Sequence, residues 1–377
     1  MNILLFIIIL FVLVMVHEFG HFYSAKKFGI RVDEFGFGFP PKIISKKIGE
    51  TEYSLNALPF GGFVKIYGET PSESENEKTG QKTIDPDAER SLVNKPKWKQ
   101  AVVLSAGIFA NFVLAWILLS AGFMFGLPTS AGNVPDRNNL SETYLTVISV
   151  VPNSPAEKAG LHSGDKIISL KKAEVDQKEK LTNLNPDILK SFVKTNIGVP
   201  LEIEYMRGKG PQTEIVKIIP DEGDSSRSPG VGIAMDEIGI LKLSFFKALW
   251  EGLKLDASIT ISTFVGLYNL IKNAIIGQGS LNEVTGPVGM VGIVGDAYRF
   301  GISYLVSFAA LISINLAIIN LIPFPALDGG RLFFLLIEKI KGSPIKPKFA
   351  NFANMIGFSI LILLMLLVTY HDILKLF

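Results

Sequence analysis

The chain has no cysteine among its 377 residues, which excludes disulfides, iron–sulfur clusters and thiolate metal sites. Histidine is scarce, four residues in all, so any imidazole chemistry must draw on very few positions. Charge is scarce too: Asp, Glu, Lys and Arg make up 19%, below the roughly 25% of soluble domains. Neither sign prevails, since 37 Lys and Arg against 35 Asp and Glu leave +2, and no global footprint for nucleic acid results. What the chain holds in excess is apolar: 48% hydrophobic residues, 27 of them Phe. Together these exclude a purely soluble enzyme and a disordered chain. The length allows two or three domains at about 150 residues each.

The apolar residues fall in four runs. The first, ILLFIIILFVLVMV over residues 3–16, lacks the basic start and small-residue cleavage site of a signal peptide. It continues into His17-Glu18 and reads as an uncleaved span over about residues 2–25. Further spans are expected over about 101–125, 299–322 and 354–371, because ~20 residues at 1.5 Å each cross a ~30 Å hydrocarbon layer. Basic residues orient them. Lys26, Lys27 and Arg31 follow the first span, and Lys95, Lys97 and Lys99 precede the second. Arg331, Lys339 and Lys341 follow the third, and Lys346 and Lys348 precede the fourth. Both termini then lie outside, with the loop at 27–100 and residues 331–350 in the cytoplasm.

Between the spans the chain changes character. Residues 52–68 (EYSLNALPFGGFVKIYG) are strand-like around Gly61-Gly62 and read as a cytoplasmic hairpin, while the polar residues 69–97 read as a solvated loop. Residues 143–235 read as a compact domain outside the membrane. Five strand candidates are 146–151, 166–170, 201–206, 214–219 and 231–235. Ser154-Pro155-Ala156-Glu157 is a helix start with its cap, N1 proline and capping-box acid. Gly160 closes that helix, and Asn185-Pro186-Asp187 opens a second. The expected form is a small, partly open barrel. Residues 244–280 mix apolar side chains with Lys247, Glu251, Lys254, Asp256 and Lys272 and read as an amphipathic membrane-surface segment.

Chemistry is concentrated in HEFGH at residues 17–21. On a helix, positions four apart share a face, so His17 and His21 can grip one ion, and Glu18 stands beside them to take a proton from bound water. A catalytic zinc needs a third protein ligand and keeps one position open. His162 and His371 lie in regions assigned to the outer side, so the third ligand is expected to be a cytoplasmic-side carboxylate. Asp328 in NLIPFPALDGG (residues 320–330) fits. Pro323 and Pro325 end the third span, and Gly329-Gly330 permits close backbone approach.

HEFGH followed by NLIPFPALDGG resembles the site-2 protease family of intramembrane zinc metalloproteases, the bacterial RseP type. Also similar are LPFGGFVK (58–65), Ala106-Gly107 with Asn111, TGPVG (285–289) and YHDIL (370–374). SPAEKAGL (154–161) and GDKII (164–168) resemble a PDZ domain. The resemblance implies a mixed fold class: a polytopic α-helical membrane protein with about four transmembrane helices, a membrane-associated β-hairpin and an extracytoplasmic PDZ-like α+β domain. A first catalytic membrane half covers 1–125, the PDZ-like domain 143–235, the surface segment 244–280, and a second catalytic half 285–377. Zn2+ would be held by His17, His21 and Asp328, with Glu18 as base and Asn315 and Asn320 near the substrate. Three departures stand out: one PDZ-like domain where some relatives carry two, Ile108 where many have Pro, and His371 where Asn is common.

The expected activity is hydrolysis within or near the membrane segments of single-span proteins, such as anti-sigma factors or remnant signal peptides. These would reach the enzyme in the bacterial inner membrane after an upstream site-1 protease. Partners are such substrates and membrane lipid, with no nucleic acid. A helix in lipid hides its scissile carbonyls, so the Gly61-Gly62 hairpin either offers a strand edge to unwound substrate or is merely structural. Asn320 either donates to the same backbone or packs helices. The PDZ-like domain either captures C-termini, with residues 144–147 near its binding edge, or filters substrates by size. A membrane-anchored protease acting on soluble peptides is the alternative enzyme. A scaffold with a dead metal site is the alternative of another class, and the intact His17, Glu18, His21 and Asp328 speak against it. A transporter has little support without internal repeats.

Overall fold

The computed structural model describes residues 1–69, 87–133, 140–173, 180–208, 212–223, 229–277 and 284–374. In chain order its elements begin α1 (Asn2–Lys27), β1 (Val32–Ile48), β2 (Thr51–Ile66), α2 (Lys97–Phe125), β3 (Leu127–Ser130) and β4 (Leu140–Val150). They continue with α3 (Pro155–Lys158), β5 (Lys166–Lys172), α4 (Pro186–Thr195), β6 (Leu201–Met206), β7 (Thr213–Ile218) and β8 (Ile233–Leu241). The last are α5 (Phe245–Ile275), α6 (Pro287–Phe300), α7 (Ile302–Leu321), α8 (Asp328–Lys341) and α9 (Pro347–Leu374). Two compact units result. One comprises Met1–Leu119, Leu249–Gly295 and Phe308–Phe377, and the other Ser120–Ala248 with Asp296–Ser307.

Among the described residues, α1, α2, α7 and α9 are long and apolar enough to cross a membrane. The third begins at Ile302 rather than 299, because Gly301 (φ +126°) separates α7 from α6. The fourth starts earlier than expected, at Pro347, since proline is well suited to a first helical position. Lipid is as apolar as a leucine side chain, so these helices associate through close packing and polar contacts. Ala115 of α2 and Ala310, Ile314 and Ile318 of α7 form a buried cluster. The Ser313 hydroxyl donates to the Asn111 carbonyl at 2.8 Å. One face of α5 (Leu255, Ile259, Leu267) rests on that cluster, while Trp250, Phe264 and Tyr268 on other faces are exposed.

The hairpin region differs from the expected simple form. Its tight turn is at Gly49-Glu50, and both strands fold back into a sheet. Residues 32–37 pair with 62–66 on one side and, from Glu34 to Phe37, with 52–55 on the other, while 42–48 close on 51–56. The 32–37 stretch escapes a sequence reading because Asp33, Glu34, Gly36 and Gly38 depress its strand propensity. Residues 70–86 of the polar loop lie outside the described residues. Two of the remaining motifs meet in a cap. The Asp372 carboxylate accepts the N–H groups of Gly286 (3.1 Å) and Gly289 (2.8 Å) at the start of α6, where first-turn N–H groups lack helical partners.

In the second unit the PDZ-like domain is an open sheet in the order β3-β8-β4-β5-β6-β7. Among the described residues it does not close as a barrel, and it gains β3, which lies before the expected domain. Alternate residues of β6 (Leu201, Ile203, Tyr205) enter a core with Leu145, Val147, Leu170, Leu189 and Val193. The Ser154 hydroxyl accepts the Glu157 N–H at 3.2 Å, and the Glu157 carboxylate accepts the Asn153 N–H at 2.6 Å. Asn185 caps α4 through Ile188 N–H at 2.8 Å. Asp165, wholly buried, receives two bonds of 2.7 Å from Arg207 and the His162 N–H at 2.8 Å, which gives the Gly-Asp of this motif a structural task. Residues 144–147 are no edge: they pair with β8 on one side, and Leu145 and Thr146 pair with β5 on the other. Burial and a 2.6 Å bond to Glu214 push the Tyr205 phenol up to about 12.

Candidate metal centre

His17 and His21 lie one turn apart on α1, both buried. Asp328 opens α8, whose N-terminal dipole favours a carboxylate. The turn before it is enforced by its residues. Pro323 and Pro325 end α7, Ala326 adopts φ +75°, and its N–H is held by the Asn354 side chain at 3.1 Å. A Cβ on Gly329 would lie 2.3 Å from the carbonyl oxygens of Leu321 and Ile322, so only glycine lets α8 start this close to α7.

Three donor atoms converge. His17 Nε2 and Asp328 Oδ2 are 3.0 Å apart, His21 Nε2 and Asp328 Oδ2 3.2 Å, and the two Nε2 atoms 3.3 Å. Tetrahedral zinc with bonds of about 2.0–2.1 Å has ligand atoms separated by about 3.3–3.4 Å. The triangle is within a few tenths of an ångström of that edge, and the two-nitrogen, one-oxygen set suits zinc. The donor set therefore fits the ion that the motif implies.

Helix α2 supports the cluster from behind with a stripe at four-residue spacing. The Val103 carbonyl accepts from His21 Nδ1 at 2.8 Å. Gly107 backs both rings: a Cβ there would lie 2.3 Å from His21 Nε2 and 2.9 Å from His17 Cε1. The Asn111 amide meets His17 Nδ1 at 3.2 Å. The two helices touch backbone to backbone, since a Cβ on Gly20 would lie 2.4 Å from the Ala106 oxygen.

In front of the donors is a cavity of about 260 Å³ lined by His17, Glu18, Asp328, Asn320, Gly61 and Gly62, among others. Gly61 has φ +85°, and a Cβ on Gly62 would lie 3.0 Å from Glu18 Cγ, so the sheet is pressed against the glutamate. Arg331, one turn beyond Asp328, pairs with Glu69 at the end of the sheet. Asn315 does not line this cavity. Five residues before Asn320, it sits about 140° around the helix at 3.6 residues per turn. The α2 stripe is the part that sequence reasoning left without a role. Its signal was the matching spacing of 103, 107 and 111 against 17 and 21, but Val103 acts through its main chain.

The sequence profile described as peptidase family M50 matches residues 5–364. The chain belongs to peptidase family M50. Zinc metalloprotease RasP of Shouchella clausii is 31% identical over 450 residues, covering all of both chains. Regulator of sigma-W protease RasP of Bacillus subtilis is 31% identical, over 100% of this chain and 99% of its own. A Clostridium perfringens chain is 36% identical over 96% of this one and 95% of its own. Among solved structures, the PDZ domain of an SdrC-like protein from Listeria monocytogenes matches 24% of this chain and 86% of that one, at 23% identity and TM-score 0.18. This M50 chain is a zinc metalloprotease of the site-2 protease family and a multi-pass membrane protein.

Proposed function

We propose that this M50 protease hydrolyses peptide bonds within or beside the membrane segments of single-span proteins, at the cavity before His17, His21 and Asp328. The observation that carries the reading is placement: His17, His21 and Glu18 belong to α1, a helix of membrane-crossing length and hydropathy, and Asp328 meets them from the start of α8. His17 Nε2, His21 Nε2 and Asp328 Oδ2 would hold zinc, which supplies a Lewis acid for a carbonyl and a low-pKa bound water. Glu18 takes the proton from water and delivers it to the leaving amine. Asn320, across the cavity, offers its amide to the substrate backbone. Residues 62–64 have a ladder partner on one side only among the described residues, so their other edge, beginning beside Glu18, receives an unwound substrate strand.

The basic residues flanking the spans favour a cavity toward the cytoplasm and a PDZ-like domain outside a bacterial inner membrane. With Leu145 and Thr146 paired on both sides, that domain acts as a size filter, admitting proteins already shortened by a site-1 protease. An anti-sigma-type protein fits the substrate class, given that a relative is named a regulator of sigma-W.

The test is purified protein in vesicles with a single-span peptide and a soluble peptide of the same scissile sequence. Glu18→Gln is expected to retain zinc and abolish cleavage, and Asp328→Ala to lower zinc occupancy. Undiminished cleavage by Glu18→Gln would remove the assigned base. Preference for the soluble peptide would favour a membrane-anchored protease instead.

A further inference from the structure

The two histidines are supported differently. A carbonyl only accepts, so the Val103 oxygen at 2.8 Å fixes the proton of His21 on Nδ1 and leaves Nε2 with its lone pair toward Asp328. His17 has no such fixed partner. Its Nδ1 meets the side-chain amide of Asn111, which both donates and accepts. With Nδ2 toward the ring, His17 Nδ1 accepts and its proton sits on Nε2, the atom that must coordinate. With Oδ1 toward the ring, Nδ1 donates and Nε2 is bare. The two amide orientations fill the same volume, and which atom is which is assigned from hydrogen bonding. Asn111 is wholly buried, and its Oδ1, as oriented, has no hydrogen-bond partner. The helix around it is anchored, because its carbonyl takes the Ser313 hydroxyl.

We propose that Asn111 is a positioning residue for the metal: its Oδ1 accepts the His17 Nδ1 proton and so selects the ring form in which Nε2 can bind zinc. Outer partners of this kind set ligand orientation and basicity, and losing one typically costs 10–100-fold in metal affinity. The inference rests on the assignment of His17 as a ligand.

The experiment is zinc affinity by chelator competition on the detergent-purified full chain in a Glu18→Gln background, with melting temperature checking folding. Asn111→Leu is expected to weaken zinc binding 10–100-fold. Asn111→Asp, which can only accept, is expected to stay within about threefold of Asn111 or bind more tightly. A packing role predicts no such split, since aspartate and leucine both roughly keep the branched shape of asparagine. The inference is overturned if Asn111→Leu binds zinc normally, or if folded Asn111→Asp falls as far as Asn111→Leu. Should the leucine variant not fold, Asn111→Ala takes its place in the same comparison. His17→Ala separates the levels: zinc binding that survives it refutes the ligand assignment. Binding lost there but unchanged in the Asn111 variants refutes only the role of Asn111.

Discussion

Adding one methyl group at Gly107 should weaken zinc binding at the proposed site while leaving the helix that bears it intact. The new Cβ would lie 2.3 Å from His21 Nε2, 2.8 Å from His21 Cδ2 and 2.9 Å from His17 Cε1. Ordinary contact begins near 3.4 Å, so something must move by about 1 Å (3.4 against 2.3). Zinc sites tolerate ligand errors of about 0.2 Å. The main chain cannot retreat easily, since Gly20 and Ala106 already touch backbone to backbone. Overpacking of this kind costs about 1–3 kcal/mol. If the rings escape it only by leaving the coordinating position, zinc affinity falls about 5- to 150-fold at 1.4 kcal/mol per tenfold. Alanine is the better helix former by up to about 1 kcal/mol, so α2 itself is not weakened. The assay is zinc content and competition titration of Gly107→Ala in a Glu18→Gln background. Gly266→Ala serves as control, because a Cβ there meets nothing within 4 Å. Stoichiometric zinc bound by Gly107→Ala with unchanged affinity would refute the claim that this position holds the rings in place.

Two further outcomes concern the PDZ-like domain. Asp165→Ala leaves the Arg207 guanidinium without its forked partner. Breaking a buried pair costs about 3–5 kcal/mol, and because Arg207 is 35% exposed the lower end applies, so amide exchange in β5 and β6 should accelerate about 100-fold; unchanged protection would show the pair to be incidental. Tyr205 favours its neutral form in the fold, with its pKa raised from 10 to about 12. It therefore contributes stability that is complete below pH 10 and disappears as pH rises toward 12. Tyr205→Phe should flatten the fall in melting temperature across that window, and an identical alkaline profile in the variant would contradict the assignment.

What could be read from the sequence depended on whether a residue acts through its side chain at a regular spacing. The four spans are long apolar runs, and the HEFGH spacing implies one helical face. Asp328 followed from the need for a third ligand on the cytoplasmic side. The helix starts at Ser154 and Asn185 are local chemistry, legible in three or four residues. Less legible was anything settled by tertiary partners. The 32–37 strand mixes Val32, Phe35 and Phe37 with Asp33, Glu34 and Gly36, which disfavour strands, and two neighbours pair with it. Residues 144–147 looked like an edge because nothing local announces that β8, some ninety residues later, will lie beside them. The Val103 contact belongs to the main chain, so no side-chain pattern could disclose it. Asn315 and Asn320 look alike in the sequence, yet their angular positions on α7 differ, and only Asn320 borders the cavity.

The cap on α6 sets an order of events during biogenesis. Gly286 and Gly289 leave the ribosome more than 80 residues before Asp372, the acceptor they share. At about 5–20 residues per second, that interval lasts about 4–17 s. Throughout it the first turn of α6 must find other acceptors, and only the arrival of α9 supplies the permanent one. The packing of α6 on α9 is therefore completed only once α9 has been made.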